Sequence, residues 1–178
     1  MTIGKEYLSV IKARLQSVKQ LGDKTIEQLT AEELHWSVND ASNSIAIIVK
    51  HISGNMRSRW TNFLTSDGEK PDRKRDEEFM DTLLSKTEIV AAWDKGWVLL
   101  FDAISKLNEE DLLKIITIRG EKHTVLDAIE RQLAHYSYHV GQIVYIGKAC
   151  KNDSWESLSI PIGKSEEYVK EMLDKHKK

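Results

Sequence analysis

Apolar residues recur at steps of three and four along four long stretches of the sequence, with charged and polar residues between them. This spacing is typical of an α-helix that buries one face. The four stretches run from Ile3 to about Leu21, from Ser44 to about Leu64, from Thr87 to Leu107 and from Thr124 to Lys151. Gly22-Asp23 is a predicted end for the first stretch, because glycine often closes a helix. The pattern therefore predicts an all-α protein built on four long helices.

Shorter elements are predicted between and after these helices. Thr30 to Glu33 and Ser85 to Glu88 match the capping box, in which a hydroxyl and a glutamate close the start of a helix. The first match predicts a single short turn, and the second predicts the start of the third long helix. Lys114 to His123 alternates around Arg119-Gly120 and predicts a small accessory hairpin. Glu166 to about Lys175 predicts a final short amphipathic helix.

The connection between the second and third helices, Thr65 to Leu84, is dense in charged residues and contains one glycine and one proline. Such a run is usually a solvated loop, so its composition predicts no functional role. Extended, roughly twenty residues reach ~66 Å, whereas a helix of the predicted length is ~32 Å long. The connection can therefore return the chain to the starting end of helix two. The predicted fold is a four-helix bundle with a long second connection.

Composition narrows the class of protein without indicating a function. The chain has 178 residues, of which 40% are hydrophobic and 30% charged, and its formal net charge is −2. This length fits a single domain, residues 1–178, and the charge balance gives no reason to expect nucleic-acid or membrane binding. The amino terminus lacks the pattern of a signal peptide. One cysteine, Cys150, excludes an internal disulfide and fits a reducing compartment, so we expect a cytoplasmic protein.

Two histidines, His135 and His139, lie four residues apart on the fourth predicted helix. Residues at this spacing stack one turn apart on the same face, where two imidazoles can share one metal ion. The alternative is that both rings lie on a partly polar face and are hydrogen-bonded or solvated. The helix is apolar nearly all round near the pair, which predicts a central position. Gln132 and Gln142 lie within a turn of the pair and could hydrogen-bond the ring nitrogens.

A third histidine, His51, lies at the edge of the apolar stripe of the second predicted helix. Together the three imidazoles would form the ligand set of a catalytic zinc site, in which water or substrate takes the fourth position. Asn55, one turn from His51, is a further candidate for supporting this site. The other candidate ligands lie too far along the chain, on a short turn or in a charged tail; they are His35, His123, His176 and Cys150. A different interpretation has no metal and treats the three as core histidines.

Aromatic residues surround the candidate ligands in the sequence. Position 136 is a tyrosine where zinc peptidases with the H-E-x-x-H motif carry a glutamate, and the missing general base argues against a peptidase. Tyr136 and Tyr138 could donate hydrogen bonds near a metal ion or pack at the edge of the core. Trp60, Trp93 and Trp97 lie on apolar stripes and are predicted to pack in the core.

The segment IAIIVKHISGNMRSRW, the H-x-x-x-H pair and the long second connection together resemble the DinB-like (YfiT-type) superfamily, and NSIAIIVKHISGNMRSRW and TSDGEKP resemble one of its bacterial subfamilies of unknown function. The resemblance covers nearly the whole chain. It implies an up-down-down-up four-helix bundle, frequently a homodimer. It also implies a divalent metal ion, zinc or nickel, at the positions that match His51, His135 and His139. Characterised members of the superfamily include thiol S-transferases that use bacillithiol and isomerases that use mycothiol.

The leading hypothesis is a metal-dependent enzyme that transfers a low-molecular-weight thiol, as in the bacillithiol-dependent S-transferases, to a small-molecule electrophile. The positive charge of the metal would favour loss of the thiol proton. The same site could instead activate water for hydrolysis, although no obvious carboxylate base lies beside the histidines in the sequence. A further hypothesis is a non-enzymatic helical dimer that binds metal for stability or responds to stress.

Overall fold

The computed structural model describes residues 2–177 and is mostly helical. Six α-helices lie in this range: α1 (Ile3–Gln28), α2 (Ala31–His35), α3 (Ile45–Trp60), α4 (Lys86–Ser105), α5 (Val125–Lys151) and α6 (Ser165–His176). Between α4 and α5 lies an antiparallel hairpin formed by β1 (Ile115–Ile118) and β2 (Glu121–Thr124). Short 3-10 helices occupy Arg75–Phe79, Glu109–Asp111 and Asn152–Ser154. The predicted all-α character and the short final helix are confirmed.

The predicted starts of the long helices are confirmed by their caps. Ser44 caps α3, because its side chain accepts a hydrogen bond from a backbone amide in the first turn. Ser85 and Glu88 form the predicted capping box at the start of α4. Thr124 caps α5 in the same way as Ser44 caps α3. Local side-chain chemistry therefore determines where these helices begin.

The predicted ends are less accurate than the starts. α3 ends at Trp60, before the predicted Leu64, because the backbone is extended at Thr61 and then enters the left-handed region at Asn62, with a φ of +50°. Phe63 beyond this turn still packs in the core and is 8% exposed. The apolar pattern correctly predicted that Phe63 is buried. It wrongly predicted that the helix continues to this residue.

The predicted stop of the first helix at Gly22-Asp23 is wrong, since α1 continues to Gln28. Gly22 is buried where α1 approaches α4, and a Cβ atom added there would lie 2.4 Å from Cζ2 of Trp93. The neighbouring Asp23 accepts a hydrogen bond from Nε1 of Trp93 at 2.6 Å. Glycine occupies this position because two helices pack closely there, and not because the helix ends.

Two helix pairs, α3 with α4 and α1 with α5, form the main packing contacts. α3 also contacts α5, and α1 also contacts α4, so the four long helices contribute to a single hydrophobic core. Trp60, Trp93 and Trp97 are at most 3% exposed, which confirms their predicted core positions. No helix within residues 2–177 combines the length and the apolar character needed to cross a membrane.

The hairpin is confirmed at its predicted position, and its tip fixes part of the linker between α3 and α4. Arg119 and Gly120 both have positive φ, +56° and +77°, as a type I′ turn requires. Their backbone amides donate to the two carboxylate oxygens of Asp67 at 2.8 and 2.9 Å. The amide of Gly68 donates to the carbonyl oxygen of Thr117 at 2.8 Å. The hairpin is thus more than an accessory, because it holds the linker in place.

The linker itself departs from the prediction of a solvated loop without a functional role. Its 3-10 helix, Arg75–Phe79, packs against α3. Glu78 in that helix is 6% exposed, and the side chain of Arg73 just before it is 2% exposed. A run of alternating charges can be buried only when its charges are paired. Arg73 pairs with Glu69 and Glu78 inside the linker. The groups that complete the pairing lie on α3 and at the hairpin tip, where the composition of the linker cannot reveal them.

We expect Gly22→Ala to lower the free energy of unfolding by about 1–3 kcal/mol, the usual cost of an added methyl group in a filled core. The Trp93 indole cannot move aside freely, because it is 2% exposed and hydrogen-bonded to Asp23. Urea denaturation followed by circular dichroism measures the change. Gly141→Ala is the matched control, since an added Cβ there meets no atom within 4 Å. Equal effects of the two substitutions would contradict the packing explanation for Gly22.

Candidate metal centre

Three imidazole rings carried by two helices meet in one cluster. His51 lies on α3, and His135 and His139 lie one turn apart on α5. The Nε2 atoms of His51 and His135 are 3.3 Å apart, and one ring nitrogen of each residue lies within 4.8 Å of the others. His51 is buried, whereas His135 and His139 are half-buried. The three histidines predicted from sequence are thus brought together, with solvent access on the α5 side.

A buried tyrosine fixes α3 and α5 relative to each other beside this cluster. Tyr136 follows His135 in the chain, and its hydroxyl donates to Oδ1 of Asn55 at 3.0 Å. The same hydroxyl accepts a hydrogen bond from Nε1 of Trp60 at 2.9 Å. Burial raises the pKa of Tyr136, so the hydroxyl keeps the proton that it donates. Tyr136 is therefore a core residue, and Asn55 supports the cluster through its hydrogen bond with Tyr136.

The nitrogens on the outer side of two rings have acceptors as partners. Nδ1 of His51 lies 3.0 Å from Oε2 of Glu78, and Nδ1 of His139 lies 2.9 Å from Oε1 of Gln142. An acceptor at this position places a proton on Nδ1 and leaves Nε2 to face the cluster. The predicted contact between Gln142 and the histidine pair is confirmed.

His135 lacks such a partner. Its buried Nδ1 makes no hydrogen bond to the described part of the chain, and neither does Oε1 of the buried Gln132. The contact predicted between Gln132 and the histidine pair is therefore not made. The His135 ring packs at a centroid distance of 5.5 Å from Tyr136. Its orientation depends on packing, whereas the orientations of the other two rings depend on hydrogen bonds.

Burial favours the uncharged form of two of these rings. Burial, with smaller contributions from His139, His51 and more distant arginines, lowers the pKa of His135 to about 3. Burial also lowers the pKa of His139, although its hydrogen bond with Gln142 acts in the opposite direction. A metal ion binds the neutral imidazole. Near neutral pH the protein thus holds both rings in the form that metal binding requires.

The donor set fits a divalent metal ion. Two imidazole nitrogens bound tetrahedrally at ~2.1 Å lie ~3.4 Å apart, close to the 3.3 Å between the Nε2 atoms of His51 and His135. Within residues 2–177, no cysteine or carboxylate joins the three histidines in this cluster. A bound ion would therefore have three protein ligands and one open position, which is the arrangement of catalytic zinc sites.

Two aromatic side chains flank the histidine rings. Phe79, from the linker, stacks on His51 with a centroid distance of 4.9 Å and an interplanar angle of 27°. Tyr138 contacts His139 edge-on at 4.9 Å and is 63% exposed. Tyr138 is therefore not a core residue, and it lies at the solvent side of the cluster.

The residues that sequence spacing excluded as ligands lie outside the cluster. His35 and His123 each pair with a carboxylate, at 2.7 and 2.6 Å. His176 is the last residue of α6. Cys150 is half-buried near the end of α5, and burial raises the pKa of its thiol. None of the four therefore joins the three clustered histidines, as their positions in the sequence predict.

Glu78 is the residue of this site that sequence reasoning missed. It contacts His51 from the linker, which was predicted to be a solvated loop. Burial raises the pKa of its carboxyl, but hydrogen bonds from Arg73 and His51 outweigh burial and keep the pKa below its ordinary value. Phe79 was a signal for this arrangement, because an aromatic residue inside a charged run indicates that the run packs against the fold.

The sequence matches a known family over most of its length. Residues 2–164 match the family described as "Protein of unknown function (DUF1572)". The chain belongs to this family. In this DUF1572 protein the three clustered histidines and Glu78 lie inside the matched residues, whereas α6 begins after them. No curated protein and no solved structure matches the chain.

We expect the metal-free DUF1572 protein to lose stability as the pH falls from about 7 toward 4. The unfolded chain binds a proton at a histidine below its ordinary pKa of about 6.5, whereas folded His135 binds one only near a pKa of about 3. Between these values the unfolded state holds more protons, so stability present above pH 6.5 is lost as the pH decreases. Thermal melting of chelator-treated protein at several pH values measures this slope.

The matched variants in this pH experiment are His135→Gln and His176→Gln. His135→Gln removes the group with the lowered pKa, so its melting temperature should depend less on pH than that of the wild type. His176→Gln removes a histidine from the exposed end of α6 and should leave the dependence unchanged. A His135→Gln slope equal to that of the wild type would contradict the burial of a neutral ring at this position.

Proposed function

We propose that this chain is a metal-dependent enzyme whose divalent metal ion, zinc or nickel, is held by His51, His135 and His139. The observation that carries the proposal is the convergence of one ring nitrogen from each histidine within 4.8 Å. A purely structural zinc site has four protein ligands, whereas a catalytic site has three and an open position. The absence of a fourth protein donor in the cluster, within residues 2–177, favours a catalytic role.

We propose further that α1, α3, α4 and α5 form one up-down-down-up four-helix bundle of the DinB-like type. The contacts of α3 with α4 and of α1 with α5, together with the long linker between α3 and α4, support this topology. The resemblance to the DinB-like superfamily supports a homodimer, and the single cysteine, Cys150, supports a cytoplasmic location. The ligand that enters the site is a small molecule, since the histidines are grouped at one point where His51 is buried and His135 and His139 are half-buried.

The reaction that we propose is transfer of a low-molecular-weight thiol, such as bacillithiol, to an electrophilic carbon. A divalent cation in the site would supply the positive charge that lowers the pKa of a thiol. In the balanced reaction the thiol S–H bond breaks and its proton passes to solvent or to the leaving group. A sulfur–carbon bond forms, and the leaving group departs with the electron pair of its bond to carbon.

The side chains around the cluster would orient the histidine rings and line the path of the substrate. Glu78 and Gln142 hold the Nδ1 protons of His51 and His139 and so direct both Nε2 atoms into the cluster. Tyr138 lies at the solvent side, where a substrate would pass it. No general base of the protein is required, because a thiol whose pKa is lowered by a divalent cation can lose its proton to solvent.

Hydrolysis is the second candidate, and the position of Glu78 argues against it. A carboxylate near the open position would help a hydrolase of this type to remove a proton from water. The linker does bring a carboxylate to the cluster, but both of its oxygens are occupied on the outer side of His51. Oε1 accepts from Arg73, and Oε2 accepts from Arg73 and His51.

We expect one divalent metal ion per chain in protein purified without a histidine tag, because a tag can itself deliver nickel. Elemental analysis counts the metal, and X-ray absorption shows its ligands. His135→Ala should lose the metal, whereas His35→Ala should keep it, because His35 pairs with Asp81 outside the cluster. Wild-type protein that binds neither zinc nor nickel at micromolar concentrations would refute the metal centre.

We expect the wild type to consume one or more low-molecular-weight thiols in the presence of a reactive electrophile such as monochlorobimane. The panel includes bacillithiol, cysteine and coenzyme A, and the loss of free thiol is measured against time. His135→Ala should lose turnover and keep its helical fold, and His35→Ala should behave as the wild type. A metal-loaded wild type without turnover, whose His135→Ala variant loses melting temperature first, would indicate a structural metal instead of an enzyme.

A further inference from the structure

Glu78 occupies the outer side of His51, opposite the point where the three rings meet. Its Oε2 lies 3.0 Å from Nδ1 of His51, and the two side chains are 8% and 7% exposed. The opposite ring nitrogen, Nε2, is the one that lies 3.3 Å from Nε2 of His135. The carboxylate thus contacts the cluster through the far side of one ring and does not itself enter the cluster.

Arg73 holds both oxygens of the Glu78 carboxylate. Its Nε donates to Oε1 and its Nη2 donates to Oε2, each at 2.8 Å. The Arg73 side chain is 2% exposed, and its remaining donor faces Glu69 at 3.3 Å. A paired fork of this kind fixes the plane of a carboxylate as well as its position. Glu78 therefore presents a fixed acceptor to His51.

Helix α3 leaves room for this carboxylate at Gly54. A Cβ atom added there would lie 2.3 Å from Oε1 and 2.7 Å from Cδ of Glu78. Real carbon atoms do not approach so closely, and Arg73 prevents the carboxylate from moving away. The space beside His51 is therefore formed by three separate features of the sequence: a glycine on α3, a buried arginine and a buried glutamate.

Tertiary contacts hold the linker that carries Glu78. Asp67 accepts from the backbone amides of Arg119 and Gly120 at the tip of the hairpin. Glu69 accepts from Arg119 at 2.9 Å and from the buried Arg59 at 3.2 Å. The linker is thus fixed to the hairpin and to α3 before it reaches Glu78. The position of the Glu78 carboxylate is therefore determined by tertiary contacts and not by a flexible loop.

We infer that Glu78 is a positioning residue for His51: its carboxylate keeps a proton on Nδ1, orients the ring and strengthens Nε2 as a donor to a divalent cation. The inference rests on the proposed metal centre for its consequence, although the hydrogen bond itself does not require a metal. A carboxylate behind a ligating histidine restricts the ring to one tautomer and raises its basicity. Both oxygens of Glu78 are hydrogen-bonded to Arg73 or His51, so its role acts only through His51.

The first test measures zinc affinity by competition with a chromogenic chelator. Glu78→Gln retains the size of the side chain, but its amide nitrogen must face donors of Arg73 or His51. We expect its dissociation constant for Zn²⁺ to rise by about 10–100-fold, as for other residues behind metal ligands. Glu77→Gln is the matched control, because Glu77 lies on the same 3-10 helix, is exposed and pairs with Lys74. Equal zinc affinities of Glu78→Gln and the wild type would overturn the inference.

The second test separates the position of the carboxylate from its charge. Gly54→Ala should displace Glu78 without changing any charge, and it should weaken zinc binding in the same direction as Glu78→Gln. Gly141→Ala, with no atom within 4 Å of the added Cβ, should bind zinc as the wild type does. An unchanged affinity in a folded Gly54→Ala protein would show that the placement of Glu78 does not matter.

The third test uses the metal-free wild type and needs no variant that could fail to fold. Nitrogen-15 NMR of the imidazole rings reports which ring nitrogen carries the proton, and we expect a protonated Nδ1 at His51. An unprotonated Nδ1 would overturn the role of Glu78 directly. If the wild type binds no zinc but Nδ1 of His51 is protonated, the metal centre fails while the contact between Glu78 and His51 stands. The two proposals therefore fail in distinguishable ways.

Discussion

The hydrogen-bonded bridge through Tyr136 is the interaction on which the geometry of the histidine cluster depends. One hydroxyl joins Asn55 and Trp60 on α3 to α5, at 3.0 and 2.9 Å, inside a core where water cannot replace either bond. An unpaired hydroxyl buried at this place would cost roughly 1–3 kcal/mol. The bridge therefore permits one register between α3 and α5. Asn55 lies one turn from His51, and Tyr136 is adjacent to His135, so the same register brings the rings together.

Much of the fold and the placement of His135 beside His139 could be predicted from the sequence, because the relevant physics is local. The spacing of four residues between His135 and His139 places both rings on one face of any helix. The caps at Ser85 and Thr124 are satisfied by amides three residues away. Local signals of this kind are read correctly without knowledge of the rest of the chain. The stop predicted at Gly22 fails because the atom that explains the glycine, on Trp93, belongs to another helix.

The linker could not be predicted for a related reason. Charge density along a sequence indicates solvent exposure only when the charges have no partners to bury with them. Glu69, Arg73 and Glu78 lie close together in the linker, but the groups that complete their pairing lie on α3 and at the hairpin tip. Burial of such a network is favourable only as a unit. The buried network of charges therefore depends on the tertiary structure. The residue types in the linker, taken one at a time, indicate solvent exposure instead.

The three candidate ligands are chemically unequal, and the bridge through Tyr136 explains why the weakest-supported ring can still belong to the site. His51 faces an ionised acceptor, His139 faces a neutral amide, and His135 has no acceptor in the described part of the chain. The hydrogen bond at Nδ1 is therefore strongest for His51, weaker for His139 and absent for His135 within the described residues. A ring without such support would rotate unless packing prevented it, and packing against the fixed Tyr136 restricts His135. His51 is thus oriented by a carboxylate, His139 by an amide and His135 by packing in the core. The electrostatic effect of Glu78 and the packing effect of Tyr136 therefore act on different rings of the cluster and can be tested separately.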